Sequence, residues 1–88
     1  MKTEYLTAEV IKKHCAFVMH LNEPSDTLRS LALFFKDRKI EIETLHMHRY
    51  ENGEAQLIIH CNIEKDRITR TVQLLEELPG VMELEMLK

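Results

Sequence analysis

The stretch FVMHLNEPSDTLRSLALFFKDRKIEIETL, residues 17–45, changes its hydrophobic period twice. Phe17, Met19 and Leu21 alternate with Val18 and His20, the two-residue period of a strand with two different faces. The polar run Asn22-Glu23-Pro24-Ser25-Asp26-Thr27 then interrupts it. Pro24 stops the strand, and Ser25 or Asp26 is expected to cap a helix, since a short side-chain oxygen can accept from the unpaired amides of a first turn. Leu28, Leu31, Ala32 and Phe35 recur at three- and four-residue spacing through Arg38, with Leu33 and Phe34 widening the stripe. Ile40 and Ile42 open another strand. Strand, loop, amphipathic helix and strand therefore follow one another without a break.

Working upstream, the first strand extends back to His14, with Cys15 on the side of Phe17. Residues 1–13 hold no sustained period and read as an N-terminal extension to a domain spanning 14–88. Downstream, the apolar residues of the second strand switch parity from Ile40 and Ile42 to Leu45 and Met47, which a bulge near Glu43-Thr44 reconciles. Asn52-Gly53 marks a hairpin. A two-residue turn would set His46 and His48 beside Leu57 and Ile59, whereas a type I turn with Gly53 as the left-handed bulge residue sets Leu45 and Met47 there. One face must be buried, so hydrophobic parity selects the bulged turn. A third strand, residues 54–63, turns Leu57, Ile59, Cys61 and Ile63 inward. Ile68, Val72, Leu75 and Leu78 have helical spacing from about Lys65 to Leu78, Pro79-Gly80 ends that helix, and Met82, Leu84 and Met86 alternate with Glu83 and Glu85 in a fourth strand. The order is βαββαβ. The fold class is α+β, a ferredoxin-like two-layer sandwich with two helices on one face of a four-stranded antiparallel sheet. Right-handed crossovers place strands one and three centrally and strands two and four at the edges.

With 88 residues the chain supports one modest core. A net charge of -3 argues against a surface that attracts nucleic acid. No apolar run approaches the roughly 20 residues of a membrane span, and the first residues lack a secretory pattern. Cys15 and Cys61, far apart in sequence, make neither a disulfide framework nor a zinc motif, so a reducing cytoplasm is the expected location.

Catalytic constellations are thin, and no catalytic residue, metal or cofactor is expected. Cys15 and Cys61 occupy inward positions, where cysteine acts as a small hydrophobe. The runs Glu64-Lys65-Asp66-Arg67 and Glu76-Glu77 read as solvated helix faces. All five histidines (His14, His20, His46, His48 and His60) fall on the side of the sheet away from the helices. That placement suits either a cation site or a half-wet open face, and with no carboxylate or thiol expected beside them the open face is preferred. Acylphosphatases share this fold, but the loop after the first strand has no arginine before Arg29. RNA-recognition domains share it too, but strand three offers Leu57, Ile58, Ile59 and His60 in place of stacking aromatics. The second strand, an apolar edge without proline, is expected to join a second copy of the chain together with the first helix; Lys39, Glu41 and Glu43 are the charges that would guard it in a monomer.

Asn22-Glu23-Pro24, Leu28, Ala32, Phe34-Phe35, Glu41-Ile42-Glu43-Thr44-Leu45 and the closing Leu78-Pro79-Gly80-Val81 give the chain a likeness to a known family. Over residues 14–87 it resembles the ACT domain, and within it the small regulatory subunit of acetohydroxyacid synthase (acetolactate synthase), an enzyme of branched-chain amino acid biosynthesis. The resemblance implies a non-catalytic regulatory homodimer docking on a catalytic enzyme subunit, with an amino acid as effector between two domains. Carried over, the ligand-binding residues are Asn22, Ser25, Asp26, Thr27 and Leu28, with Thr44 and Leu45 from the partner face. Asp26 stands where the family has glycine, adding a Cβ and a negative charge beside the expected ligand carboxylate. Two unit charges about 4 Å apart repel by about 1–4 kcal/mol, so weak or absent valine binding is expected. The alternative reading is a free-standing amino acid sensor that binds its ligand between two copies.

Overall fold

β1 (Lys12–Leu21) is the centre of the sheet. In the structure, a computed structural model describing residues 11–87, it is followed by α1 (Pro24–Asp37), β2 (Ile42–Arg49), β3 (Ala55–Glu64), a 3-10 turn (Lys65–Arg67), α2 (Ile68–Glu76) and β4 (Val81–Leu87). β1 pairs antiparallel with β3 and with β4, and the sheet order is β2-β3-β1-β4. This is the expected ferredoxin-like α+β sandwich. β1 begins two residues before the expected start, and residues 1–10 of the N-terminal extension lie outside the described residues.

The register follows the hydrophobic parity. Leu45 faces Ile59 and Met47 faces Leu57 across β2 and β3. The Gly53 N–H donates to the Tyr50 carbonyl at 3.1 Å and Gly53 sits at φ +92°, the bulged type I turn predicted from Asn52-Gly53. The Asn52 side chain fixes the turn by accepting from the Glu54 N–H at 2.9 Å. Pairing skips a residue between Ile42 and Thr44, so Glu43 is the extra residue of a β-bulge and Ile42 returns to the helix side opposite Cys61. A second irregularity lies in β4: Val81 faces Leu21 and Glu83 faces His20, which leaves Met82 between them. Met82 is therefore 52% exposed where parity put it inside.

α1 is built differently at its start from the sequence expectation. Neither Ser25 nor Asp26 caps it; Glu23 is the N-cap residue without a side-chain bond, and Pro24 holds the first helical position, where its missing N–H costs nothing. The buried stripe is Pro24, Thr27, Leu31, Phe34 and Phe35, while Ala32 is exposed and Leu33 points to water at 53% exposure. At the C-terminus the Ile40 N–H donates to the Phe35 carbonyl at 2.9 Å and the Lys39 N–H to the Lys36 carbonyl at 3.1 Å, a Schellman pair that puts Lys39 at φ 58°. A lysine in the left-handed region meets steric strain that glycine does not. Lys39→Gly is expected to raise stability by about 0.5–1 kcal/mol, or about 2–8 °C in Tm, measured by thermal unfolding.

The helical pattern predicted from Lys65 to Leu78 resolves into the 3-10 turn, nine residues of α2 and a final turn in which the Leu78 N–H donates to the Leu75 carbonyl. Cys15, Phe17, Met19 and Leu21 of β1, Leu57, Ile59, Cys61 and Ile63 of β3, Leu31, Phe34 and Phe35 of α1 and Leu75 of α2 form one buried cluster. Phe34 meets Phe35 edge to face at 5.4 Å, and the Arg38 guanidinium closes its outer side 3.9 Å from the ring centre. No helix among the described residues is long and apolar enough to cross a membrane.

Candidate ligand-binding site

The loop after β1 lies at the end of the sheet where β2 finishes and β3 and β4 begin, because Leu21 is paired with both Ala55 and Val81. It is tied to the turn between α2 and β4. The Asn22 N–H donates to the Gly80 carbonyl at 3.1 Å, and the Thr27 hydroxyl, 2% exposed as a residue, donates to the Pro79 carbonyl at 3.4 Å. Gly80 has φ +92°, and a Cβ there would collide with the Thr27 hydroxyl. The loop's position is thus set by contact between two turns distant in sequence.

Of the expected ligand-binding residues, Asn22, Ser25 and Asp26 are exposed, Thr27 is buried and Leu28 packs half-buried against the core. Thr27 therefore serves the scaffold: its N–H donates to the Glu23 carbonyl at 3.0 Å, and its hydroxyl is turned towards Pro79. Thr44 and Leu45 are exposed on β2, on opposite faces of the sheet. They lie four and five residues back along the strand from Arg49, roughly 13–17 Å by strand rise, so one chain does not bring them to its own loop.

The residue that does reach the loop is Arg49. Its Nη2 donates to Ser25 Oγ at 3.1 Å in the first turn of α1. Its parity with Leu45 and Met47 assigns it to the helix side, a signal present in the sequence but not used in assembling the site. A carboxylate arriving here would meet a guanidinium and the positive end of the helix, opposed by Asp26 one residue further on.

On the other face at this end, His20 Nε2 lies 2.7 Å from Glu54 Oε1, while the Tyr50 ring stacks on His20 at 5.8 Å and meets His48 edge-on at 5.3 Å. The hydrogen bond with His20 holds the Glu54 carboxyl below its ordinary value. The two cysteines oppose each other across β1 and β3 and are both buried as free thiols. Burial raises both, and pushes Cys61 up to about 12, with the Cys15 thiol and the Glu43 carboxylate adding to it. At pH 8 the Cys61 thiolate fraction is then roughly one part in ten thousand. A thiol-specific reagent is expected to leave the native protein unlabelled at pH 8 and to modify two thiols per chain in guanidinium, read by mass spectrometry.

No family model matches the sequence, and no curated protein does. Solved structures do match the fold. The acetolactate synthase small subunit from Thermotoga maritima has a TM-score of 0.73 at 17% identity, over 86% of this chain and 48% of that one. The ACT domain from GTP pyrophosphokinase of Chlorobium tepidum has a TM-score of 0.72 at 13% identity, over 88% of this chain and all of that one. The fold is the one ACT domains have. The C-terminal domain of the MgtC protein from Mycobacterium tuberculosis has it as well, with a TM-score of 0.67 at 12% identity over 90% of this chain and 88% of that one. The chain spans about half the length of the acetolactate synthase small subunit it matches. At these identities the likeness establishes the fold, and function has to be argued from the residues.

Proposed function

We propose that the chain is a non-catalytic ACT-type regulatory protein that pairs with a second copy through β2 and α1 and docks on an enzyme, the catalytic subunit of acetohydroxyacid synthase. The observation that carries this reading is the edge formed by β2. Among the described residues the strand has a neighbour on one side only, six of its eight residues are exposed, and Leu45 stands 43% exposed on the helix side. Proline is absent from it, so its outer amides can pair with another strand. Pairing two such edges would continue the sheet and cover Leu45. The fold shared with the acetolactate synthase small subunit supports the choice of partner enzyme.

The test has two parts. Sedimentation of the wild-type chain is expected to show a dimer, and Leu45→Lys a shift to monomer. A monodisperse monomer at high concentration would refute the pairing. Addition of the chain to an acetohydroxyacid synthase catalytic subunit is expected to change its rate, and an unchanged rate rejects that partner.

A second reading, an amino acid sensor binding its ligand between copies, is favoured by the Arg49–Ser25 contact, which sets a cation beside the α1 amides. Calorimetric titration with all twenty amino acids separates the two. A micromolar ligand lost in Arg49→Ala supports the sensor, and no heat across the set leaves docking ahead.

A further inference from the structure

Away from the loop, on the open face of the sheet, three strands bring metal-binding side chains together. His14 of β1 and His60 of β3 approach ring to ring, with His60 Nδ1 3.1 Å from His14 Nε2 and the ring centres 5.1 Å apart. Glu43 of β2 stands beside them, Oε1 3.9 Å from His14 Nε2. Its other oxygen, Oε2, accepts from Asn62 Nδ2 at 2.6 Å. Glu43 lies on this face by alternation from Ile42, and the β-bulge keeps Thr44 there beside it, opposite His60.

Two nitrogen ligands held about 2.0–2.1 Å from one ion at a tetrahedral angle are about 3.3–3.4 Å apart. The observed 3.1 Å is within a few tenths of an ångström of that separation. The third donor is farther out: as the side chains stand, no three among the described residues converge on one point. Glu43 Oε1, 3.9 Å from His14 Nε2, is about half an ångström beyond the separation that two ligands of one ion keep from each other. Glu43 and His14 have side chains 50% and 54% exposed, so both can turn without disturbing the core. The Asn62 amide would then hold the free carboxylate oxygen, the outer-sphere arrangement that orients metal ligands. Without an ion, one ring must donate its proton to the other; an ion takes the place of that shared proton while each ring keeps one on its far nitrogen.

We propose that His14, His60 and Glu43 bind one first-row divalent cation of the borderline class, such as zinc or nickel, with water completing the coordination. Two imidazoles and one carboxylate select these ions over magnesium and calcium, which take oxygen ligands. The remaining histidines do not compose this site. His20 and His48 lean on Tyr50, and His46 sits opposite Ile58. The proposal does not depend on the regulatory reading above.

Zinc chloride titrated calorimetrically into the full chain, without an affinity tag, is expected to bind one ion per chain at micromolar affinity. His14→Gln and His60→Gln should each weaken it by more than tenfold, Glu43→Gln by about tenfold, and His46→Gln with His48→Gln should leave it unchanged. Nitrogen-15 NMR of the wild-type histidine rings adds a readout that needs no variant: zinc should shift His14 Nε2 and His60 Nδ1 selectively. Absence of saturable binding, binding that survives the His14→Gln/His60→Gln pair, or zinc shifts centred on His46 and His48 would overturn the site.

Discussion

Gly80→Ala is expected to destabilise the protein by about 2–5 kcal/mol, the sum of a left-handed backbone strain of about 1–2 kcal/mol and an overlap cost of about 1–3 kcal/mol. Both parts come from the one turn. Gly80 holds φ +92°, and an added Cβ would overlap the Thr27 hydroxyl and lie 3.2 Å from Thr27 Cβ. Thr27 has nowhere to go, because it is buried under the turn it touches. For a domain of this size a loss of that order lowers Tm by about 8–40 °C. The two contributions can be separated. In a Thr27→Ala background the overlap with the hydroxyl disappears and a tight 3.2 Å Cβ approach remains, so Gly80→Ala there should cost little more than the backbone part of about 1–2 kcal/mol, and a double-mutant cycle would return most of the overlap cost of about 1–3 kcal/mol as coupling. Additive losses would mean that the two turns do not press on each other. The functional consequence is local. The Asn22 N–H bonds to the Gly80 carbonyl, so the variant should also loosen the loop that carries Ser25 and Asp26, seen as faster amide exchange over residues 22–28.

Phe17→Ala is expected to cost about 3–5 kcal/mol, measured by urea unfolding with an unchanged dependence on denaturant. Phe17 is fully buried in the central strand, paired with Ile59 on one side and Met86 on the other. It belongs to the same cluster as Leu31 and Phe35 of α1 and Leu75 of α2. Truncation leaves a void that a strand paired on both sides closes poorly. Since a chain of this length commands about 4–13 kcal/mol, the variant should lose a large part of its stability and unfold at a markedly lower urea concentration. A loss below about 1 kcal/mol would mean that the site collapses freely and that the layers are not packed on this residue.

The bulged hairpin and the bulge in β2 were legible because both repair a conflict in parity. Leu45 and Met47 had to share a face with Leu57 and Ile59, which takes an extra residue at Gly53, and Ile42 had to share it with them, which takes another near Glu43. The five histidines fell on the open face for the same reason. What Glu43 meets there was not legible, because alternation from Ile42 puts it on that face without saying which residues of β1 and β3 stand beside it. The carboxylate that joins His14 and His60 therefore came to view only with the register in three strands. Ala32, Leu33 and Met82 were read as inward and are exposed: the helical residues lie outside an arc set by how α1 rests on the sheet, and the methionine lies at the irregularity in β4.

Residue order alone determined the succession of elements, the two-layer class, the inward sets of β1 and β3 and the edge position of β2, since periodicity and crossover handedness are local or nearly so. The tertiary structure decided which distant groups meet: Arg49 with Ser25, Thr27 with the Pro79-Gly80 turn, and Glu43 with the His14–His60 pair. Those meetings depend on strand register and on the depth at which two helices settle, and each is set by packing summed over the whole core.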